Sequence, residues 1–317
     1  MKITVLDSAT LGEDLDLSPL FEVGETEIYK ISSPETVAER IAESDVVIIN
    51  KVKLNESNLA NAKNLKLICI AATGFDNVDV AYCKKTGIAV CNVVGYSSLS
   101  VAQITVATVL SLACHMHEHT EMVRSGRYTE SGVANSLTPV YHELAGKTWG
   151  IIGYGNIGKQ VGKVAEALGC RVIYNRHTPY GQENCVSLDT LCKESDIITL
   201  HTPLSDTTRG LIGEREISLM KNDVIFVNEA RGAVTDEKAL ADAVKDGKIG
   251  ALGCDVYSVE PFGKDHPFYQ IKEMPNVCLT PHMAWGAYEA RVRCLGEIIL
   301  NIKAFFNDEI RCRVDLK

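Results

Sequence analysis

Short runs rich in valine and isoleucine alternate with helix-length segments almost from the first residue to residue 282, and this alternation limits the fold more than any other feature. The runs are ITVL (3–6), VVIIN (46–50), LKLICIA (65–71) and IAVCN (88–92), then TWGIIG (148–153), RVIYN (171–175), DIITLH (196–201), DVIFVN (223–228), IGALGCDV (249–256) and VCLTPH (277–282). They lack the period-two alternation of a sheet with one wet face. Both faces are therefore buried, as in parallel sheets covered by helices. Between them lie helical patterns such as SPETVAERIAES (33–44), with Ser33 suited to the N-cap and Pro34 to the first helical position. The spacing predicts ten strands in two doubly wound parallel-sheet domains of the α/β class. A long helix is expected from Ser98 to about Ser125, followed by an irregular arm over 124–146. A closing helix is expected over AYEARVRCLGEIILNIKAFF, for which the first sheet is a candidate packing surface.

Composition narrows the function classes. A chain of 317 residues is long enough for two such domains without covalent staples. Its 32 Lys and Arg against 41 Asp and Glu leave a net charge of −9, which argues against non-specific binding of nucleic acid or an anionic membrane. The 11 cysteines contain no CxxC pair, and several sit in apolar runs, the pattern of reduced, buried thiols rather than a disulfide framework. MKITVLD opens directly on a strand pattern, and Val101 to Met116 is too short and too polar to span a bilayer. The expectation is a cytoplasmic enzyme or binding protein.

GYGNIG places Gly153, Gly155 and Gly158 in a GxGxxG, with Asn156 and Ile157 inside it, directly after a strand and at the start of a helix. Glycines there permit a tight turn and close approach of the backbone to a pyrophosphate, which the helix N-terminus attracts. The acid that normally binds the adenosine ribose hydroxyls about 20 residues later is missing. Asn175, Arg176 and His177 occupy that strand end. No carboxylate repels a 2′-phosphate, so the residues favour NADP over NAD as cofactor.

Ligands of open α/β sheets bind beyond the carboxyl ends of the strands. Arg231, Glu260 and His282 each fall just past a strand of the second series. An arginine can clamp a substrate carboxylate in a bidentate fork, a histidine can give a proton to a carbonyl oxygen, and a carboxylate can orient that histidine. Each residue alone could be a loop ion pair or a turn residue; three on one edge point to a dehydrogenase site. Val52 suits either a pocket wall or a loop cap, and Trp285 suits a pocket wall. His115 and His119 stand at i and i+4, but no third ligand stands out and no metal is expected.

The stretches GYGNIG, NEARGAVTDEKAL, GCDVYSVEP and TPHMAW, in this order, closely resemble the D-isomer-specific 2-hydroxyacid dehydrogenase family, and AATGFDNVD and GIAVCNVVGYSSLSVAQ resemble its glycerate dehydrogenase or hydroxypyruvate reductase branch. The resemblance covers essentially the whole chain. It implies a reductase of small 2-oxo acids giving the D-hydroxy acid, with Arg231 as clamp, His282 as acid/base and Glu260 as its partner. It implies Asp255 near the nicotinamide carboxamide, and His201, Thr202, Pro203 and Ala230 along the cofactor. Thr73, Gly74 and Phe75 would form a backbone nest for the substrate carboxylate. It further implies a Rossmann cofactor domain over 99–283, inserted into a discontinuous flavodoxin-like substrate domain over 1–98 and 284–317, and a homodimer through the connector helix and arm. Glu229 departs from the pattern, where a small hydroxyl residue is expected. A nucleotide-sensing protein of the corepressor type, on the same fold, is the alternative.

Overall fold

The computed structural model describes residues 1–176 and 183–316. They divide into two compact units, Met1–Ser97 with Gly286–Lys317, and Ser98–Trp285.

The first unit holds β1 (Lys2–Val5), β2 (Glu25–Ile28), β3 (Val46–Ile49), β4 (Leu67–Ile70) and β5 (Ala89–Cys91). Their order is β2-β1-β3-β4-β5, all parallel, which is the flavodoxin-like order. Strands β3, β4 and β5 are buried along their whole length, so each had to read as an unbroken apolar run. The helix Tyr288–Phe306 packs on β4. Beyond it the chain returns to β5: the Val90 N–H donates to the Asp315 carboxylate at 2.9 Å, and Cys91 bridges to Arg313.

Strand β2 was not expected. Its sequence, ETEI, has no apolar run because it is an exposed edge strand held by β1 alone. Burial, the property that made the other strands legible, is absent from it. The described residues therefore contain eleven strands rather than ten.

The second unit holds β6 (Thr148–Ile152), β7 (Arg171–Asn175), β8 (Ile197–Leu200), β9 (Ile225–Asn228), β10 (Ala251–Cys254) and β11 (Val277–Leu279), in the parallel order β7-β6-β8-β9-β10-β11. Cys185 makes an isolated parallel bridge to Tyr174 on β7. Counting that bridge as a reduced third strand gives the Rossmann order 3-2-1-4-5-6, continued by β11. Ile152, Leu200, Phe226 and Leu252 pack into one core cluster, while Trp149, Ile151, Val161 and Val227 pack into another. The order reverses between β6 and β8, and there the glycine loop leaves β6.

The expected long connector is two helices, Ser98–Ala113 and Met116–Arg124, bent by 65°. His115 ends the first in a left-handed conformation, φ 49°, the role a glycine usually takes. No glycine or proline marks the break in the sequence, and polar and apolar residues continue through it. A short helix, Arg127–Ser131, follows, and Val133, Leu137, Val140 and Tyr141 are exposed beyond it. No single helix among the described residues is long and apolar enough to cross a membrane. All 11 cysteines are free thiols.

Candidate active site

The glycine loop leaves β6 at Ile152. Gly153 turns the chain with φ +93°, and a Cβ there would lie 2.6 Å from the carbonyl carbon of His201. A Cβ on Gly158 would lie 2.4 Å from the carbonyl oxygen of Gly153. Two of the three glycines are thus demanded by the packing of the loop itself. Gly155 differs: a Cβ there would meet nothing within 4 Å. It is the N-cap of the helix Asn156–Ala167 and offers no side-chain bond to the first N–H groups. Open space in front of a helix N-terminus fits the pyrophosphate of a dinucleotide.

His201 follows β8 and reaches the loop, its N–H donating to the Ile152 carbonyl at 2.7 Å. Both of its ring nitrogens are buried without a hydrogen-bond partner among the described residues. Burial pulls its pKa down to about 3, so the ring is neutral at physiological pH. Thr202 is partly buried and Pro203 is exposed. At the end of β7 the Asn175 amide donates to the Val186 carbonyl at 2.9 Å, and Tyr174 stacks on Tyr154 of the loop with ring centroids 3.9 Å apart. Arg176 is the last described residue on this side; His177 lies outside the described residues.

Three neighbouring strands, β9, β10 and β11, carry the polar edge. Past β9 the Asn228 side chain ties the turn: its carbonyl accepts the Ala230 N–H at 3.0 Å and its amide donates to the Arg231 carbonyl at 3.0 Å. This fixes the backbone from which Arg231 projects. The next residue, Gly232, is pressed against the segment following β10, where a Cβ would lie 2.1 Å from the Tyr257 carbonyl carbon and 2.2 Å from the Ser258 nitrogen. From that segment Glu260 reaches His282, beyond β11, with its Oε2 2.6 Å from the imidazole Nδ1. The Tyr257 N–H donates to the other oxygen of Glu260 at 2.9 Å. The pair is partly wet, with side-chain exposures of 18% for His282 and 31% for Glu260, so protons can exchange with the surroundings.

His282 itself is left-handed, φ 54°, which a non-glycine residue adopts only when its neighbours enforce it. Asp255 supplies that enforcement, which the sequence did not show. It is 2% exposed, and its carboxylate accepts from Thr280 Oγ1 at 2.6 Å, from the Met283 N–H at 2.8 Å and from the Ala284 N–H at 2.8 Å. The Trp285 indole donates to the His282 carbonyl at 3.0 Å, and the Tyr257 hydroxyl donates to the Thr280 carbonyl at 2.8 Å. His282 thus sits in a backbone loop fastened from three sides.

Beside Asp255 lies Glu229, 7% exposed, with neither carboxyl oxygen hydrogen-bonded among the described residues. Burial, reinforced by the Asp255 charge, pushes its pKa up to about 9. It is a neutral acid at physiological pH.

In the first unit Thr73, Gly74 and Phe75 follow β4. The Thr73 hydroxyl donates to the Val93 carbonyl at 2.8 Å, its own carbonyl accepts from the Asn92 amide at 2.7 Å, and Phe75 is exposed. Val52 donates its N–H to Asp7 at 3.0 Å, and Asp7 also takes the N–H groups of Asn50 and Lys51. Asp7, at the end of β1, organises this loop and was not singled out in the sequence. His119 is engaged with the Pro139 carbonyl at 3.1 Å, and among the described residues no group of three His, Cys, Asp or Glu could hold a metal ion.

The model for "D-isomer specific 2-hydroxyacid dehydrogenase, NAD binding domain" matches residues 106–284. A hydroxypyruvate reductase of Blautia hydrogenotrophica is 36% identical over 314 residues, covering 96% of this chain and 97% of that one. Among solved structures, the D-lactate dehydrogenase of Aquifex aeolicus complexed with NAD and lactic acid superposes with a TM-score of 0.86 at 29% identity, covering 98% of this chain and 96% of that one. An acyclic imino acid reductase in complex with NADPH and D-arginine superposes with a TM-score of 0.87 at 29% identity, covering 99% of this chain and 100% of that one.

Proposed function

The chain belongs to the D-isomer-specific 2-hydroxyacid dehydrogenase family, and from that premise we propose that it reduces hydroxypyruvate or glyoxylate to the corresponding 2-hydroxy acid, D-glycerate in the case of hydroxypyruvate. The observation that carries the reading is the 2.6 Å contact between Glu260 and His282 Nδ1, in the same unit as the glycine loop and beside the strand end that bears Arg231. A nicotinamide bound at the glycine loop would supply the hydride. Addition at C2 of the oxo acid drives the carbonyl electron pair onto oxygen. His282 neutralises that charge by releasing a proton to it, which leaves the hydroxyl group of the product. With Nδ1 committed to Glu260, the exchange falls to Nε2. Glu260 acts through His282 and is a positioning residue. Arg231 holds the substrate carboxylate in a planar fork and withdraws charge from the neighbouring carbonyl.

Gly153, Gly155 and Gly158 would hold the pyrophosphate, with Asn156 and Ile157 at the helix start. His201, Thr202 and Ala230 border the same edge. NADP is the cofactor this reading favours over NAD, because Asn175 stands where a carboxylate would repel a 2′-phosphate and Arg176 follows it.

The clamp is tested by Arg231→Lys. A point charge replaces a fork, so KM for the oxo acid is expected to rise by about 10-fold or more, while KM for the nucleotide stays the same. An unchanged KM for the oxo acid contradicts the clamp.

A further inference from the structure

We propose that Glu237, held in place by His266, is a positioning residue for this reaction: it clamps Ser258, and Ser258 sets Glu260 against His282. The inference rests on the reading of His282 as the acid/base, and adds to it a buried carboxylate, with its histidine partner, that lies away from the chemistry.

Glu237 opens the helix Glu237–Lys245 and is 8% exposed, as is His266. A carboxylate at that depth is tolerated only when its lone pairs are filled. They are filled from two directions. Its Oε1 accepts the Ser258 N–H at 2.8 Å and its Oε2 accepts the Ser258 hydroxyl, so one serine is gripped at backbone and side chain together. Its Oε2 also meets His266 Nε2 at 3.0 Å. The other ring nitrogen of His266 accepts the Phe268 N–H at 3.2 Å, which places the ring proton on Nε2 and aims it at Glu237. The ring cannot easily turn away. Phe262 stacks on it at 4.8 Å, and Tyr257 and Phe268 meet it edge-on at 6.0 Å and 5.3 Å.

Ser258 is where this clamp meets the site. Tyr257, its neighbour, donates one N–H to Glu260 and its hydroxyl to the Thr280 carbonyl, two residues before His282. On its other side Gly232 leaves no room for a Cβ against the Tyr257–Ser258 peptide. The turn bearing Arg231 and the segment bearing Glu260 are therefore registered on the same dipeptide. Releasing Ser258 frees Glu260 to drift from His282. A misplacement of about 1 Å is enough to cost roughly 100-fold in rate when reacting groups are oriented by packing.

The test uses the full chain and the variants Ser258→Ala, Ser258→Thr and Glu237→Gln, each alone and combined with Glu260→Gln. Ser258→Ala removes one hydrogen bond and keeps the backbone grip, so it serves if Glu237→Gln does not fold. Expected is a fall in kcat of about 10-fold for Ser258→Ala and about 10- to 100-fold for Glu237→Gln, with nucleotide dissociation constants within about 2-fold of the parent. Ser258→Thr keeps the hydroxyl and restores kcat. In the Glu260→Gln background the same changes cost less than about 2-fold more, because the group through which they act is already gone. An unchanged kcat, losses that multiply with Glu260→Gln, or a loss that threonine leaves unrepaired overturns the inference while wild-type turnover leaves the parent reading standing. Absence of turnover in the wild-type chain overturns the parent reading and this one with it.

Discussion

Replacing His282 with Gln is expected to lower kcat for 2-oxo acid reduction by about 10²- to 10⁴-fold, the range that a positioned general acid supplies. Gln can still donate its amide to Glu260 and occupies the same backbone position, so the loop fastened by Asp255 retains its anchors. What it cannot do is release a proton at neutral pH. The nucleotide dissociation constant, read from fluorescence, is expected to stay within about 2-fold, because the glycine loop and the helix Asn156–Ala167 are untouched. A variant that retains most of its turnover removes His282 from the mechanism, whatever its distance from Glu260.

The second large effect is on stability and comes from Glu229. Its pKa rises from an ordinary 4.5 to about 9 in the folded chain. Below pH 4.5 both folded and unfolded chains carry the proton, and burial of the acid costs no ionisation energy. Between the two values the unfolded chain releases the proton and the folded chain keeps it, so the unfolded state binds fewer protons and stability falls as pH rises. At 1.36 kcal/mol per pH unit the loss reaches about 3 kcal/mol by pH 7. Glu229→Gln keeps the buried polar group and removes the titration. Melting temperatures of the two proteins between pH 5 and pH 9 are expected to diverge, the variant gaining several degrees on the wild type toward the alkaline end. Parallel curves contradict a neutral, buried Glu229.

Most of the architecture was legible because a doubly wound sheet buries its central strands on both faces, and burial writes itself into the sequence as unbroken Val and Ile runs. Strand β2 escaped because ETEI lies on an exposed edge, where only the hydrogen bonds of β1 make it a strand. The break at His115 escaped because a left-handed residue other than glycine leaves no compositional mark. At the site, the positions of Arg231, Glu260 and His282 past their strands followed from counting runs. The contacts that fix them did not. Asp255 binds residues 25 to 29 positions away. Glu237 meets Ser258 21 positions away and His266 29 positions away. Such pairs exist only once the sheet has assembled, and nothing in local spacing announces them. Glu229 was visible as an odd residue, but a charge at a strand end says nothing of its burial until the neighbouring strands are in place.

The central claim is hydride reduction of a small 2-oxo acid, and loss of the absorbance of the reduced nicotinamide tests it most directly. Purified wild-type chain is mixed with NADPH or NADH and, in turn, hydroxypyruvate, glyoxylate and pyruvate, and the chirality of the product is determined. The account expects turnover, highest with hydroxypyruvate or glyoxylate, a D-hydroxy acid as product wherever the product is chiral, and a lower KM for NADPH than for NADH. Tight nucleotide binding with no turnover on any acid would contradict it.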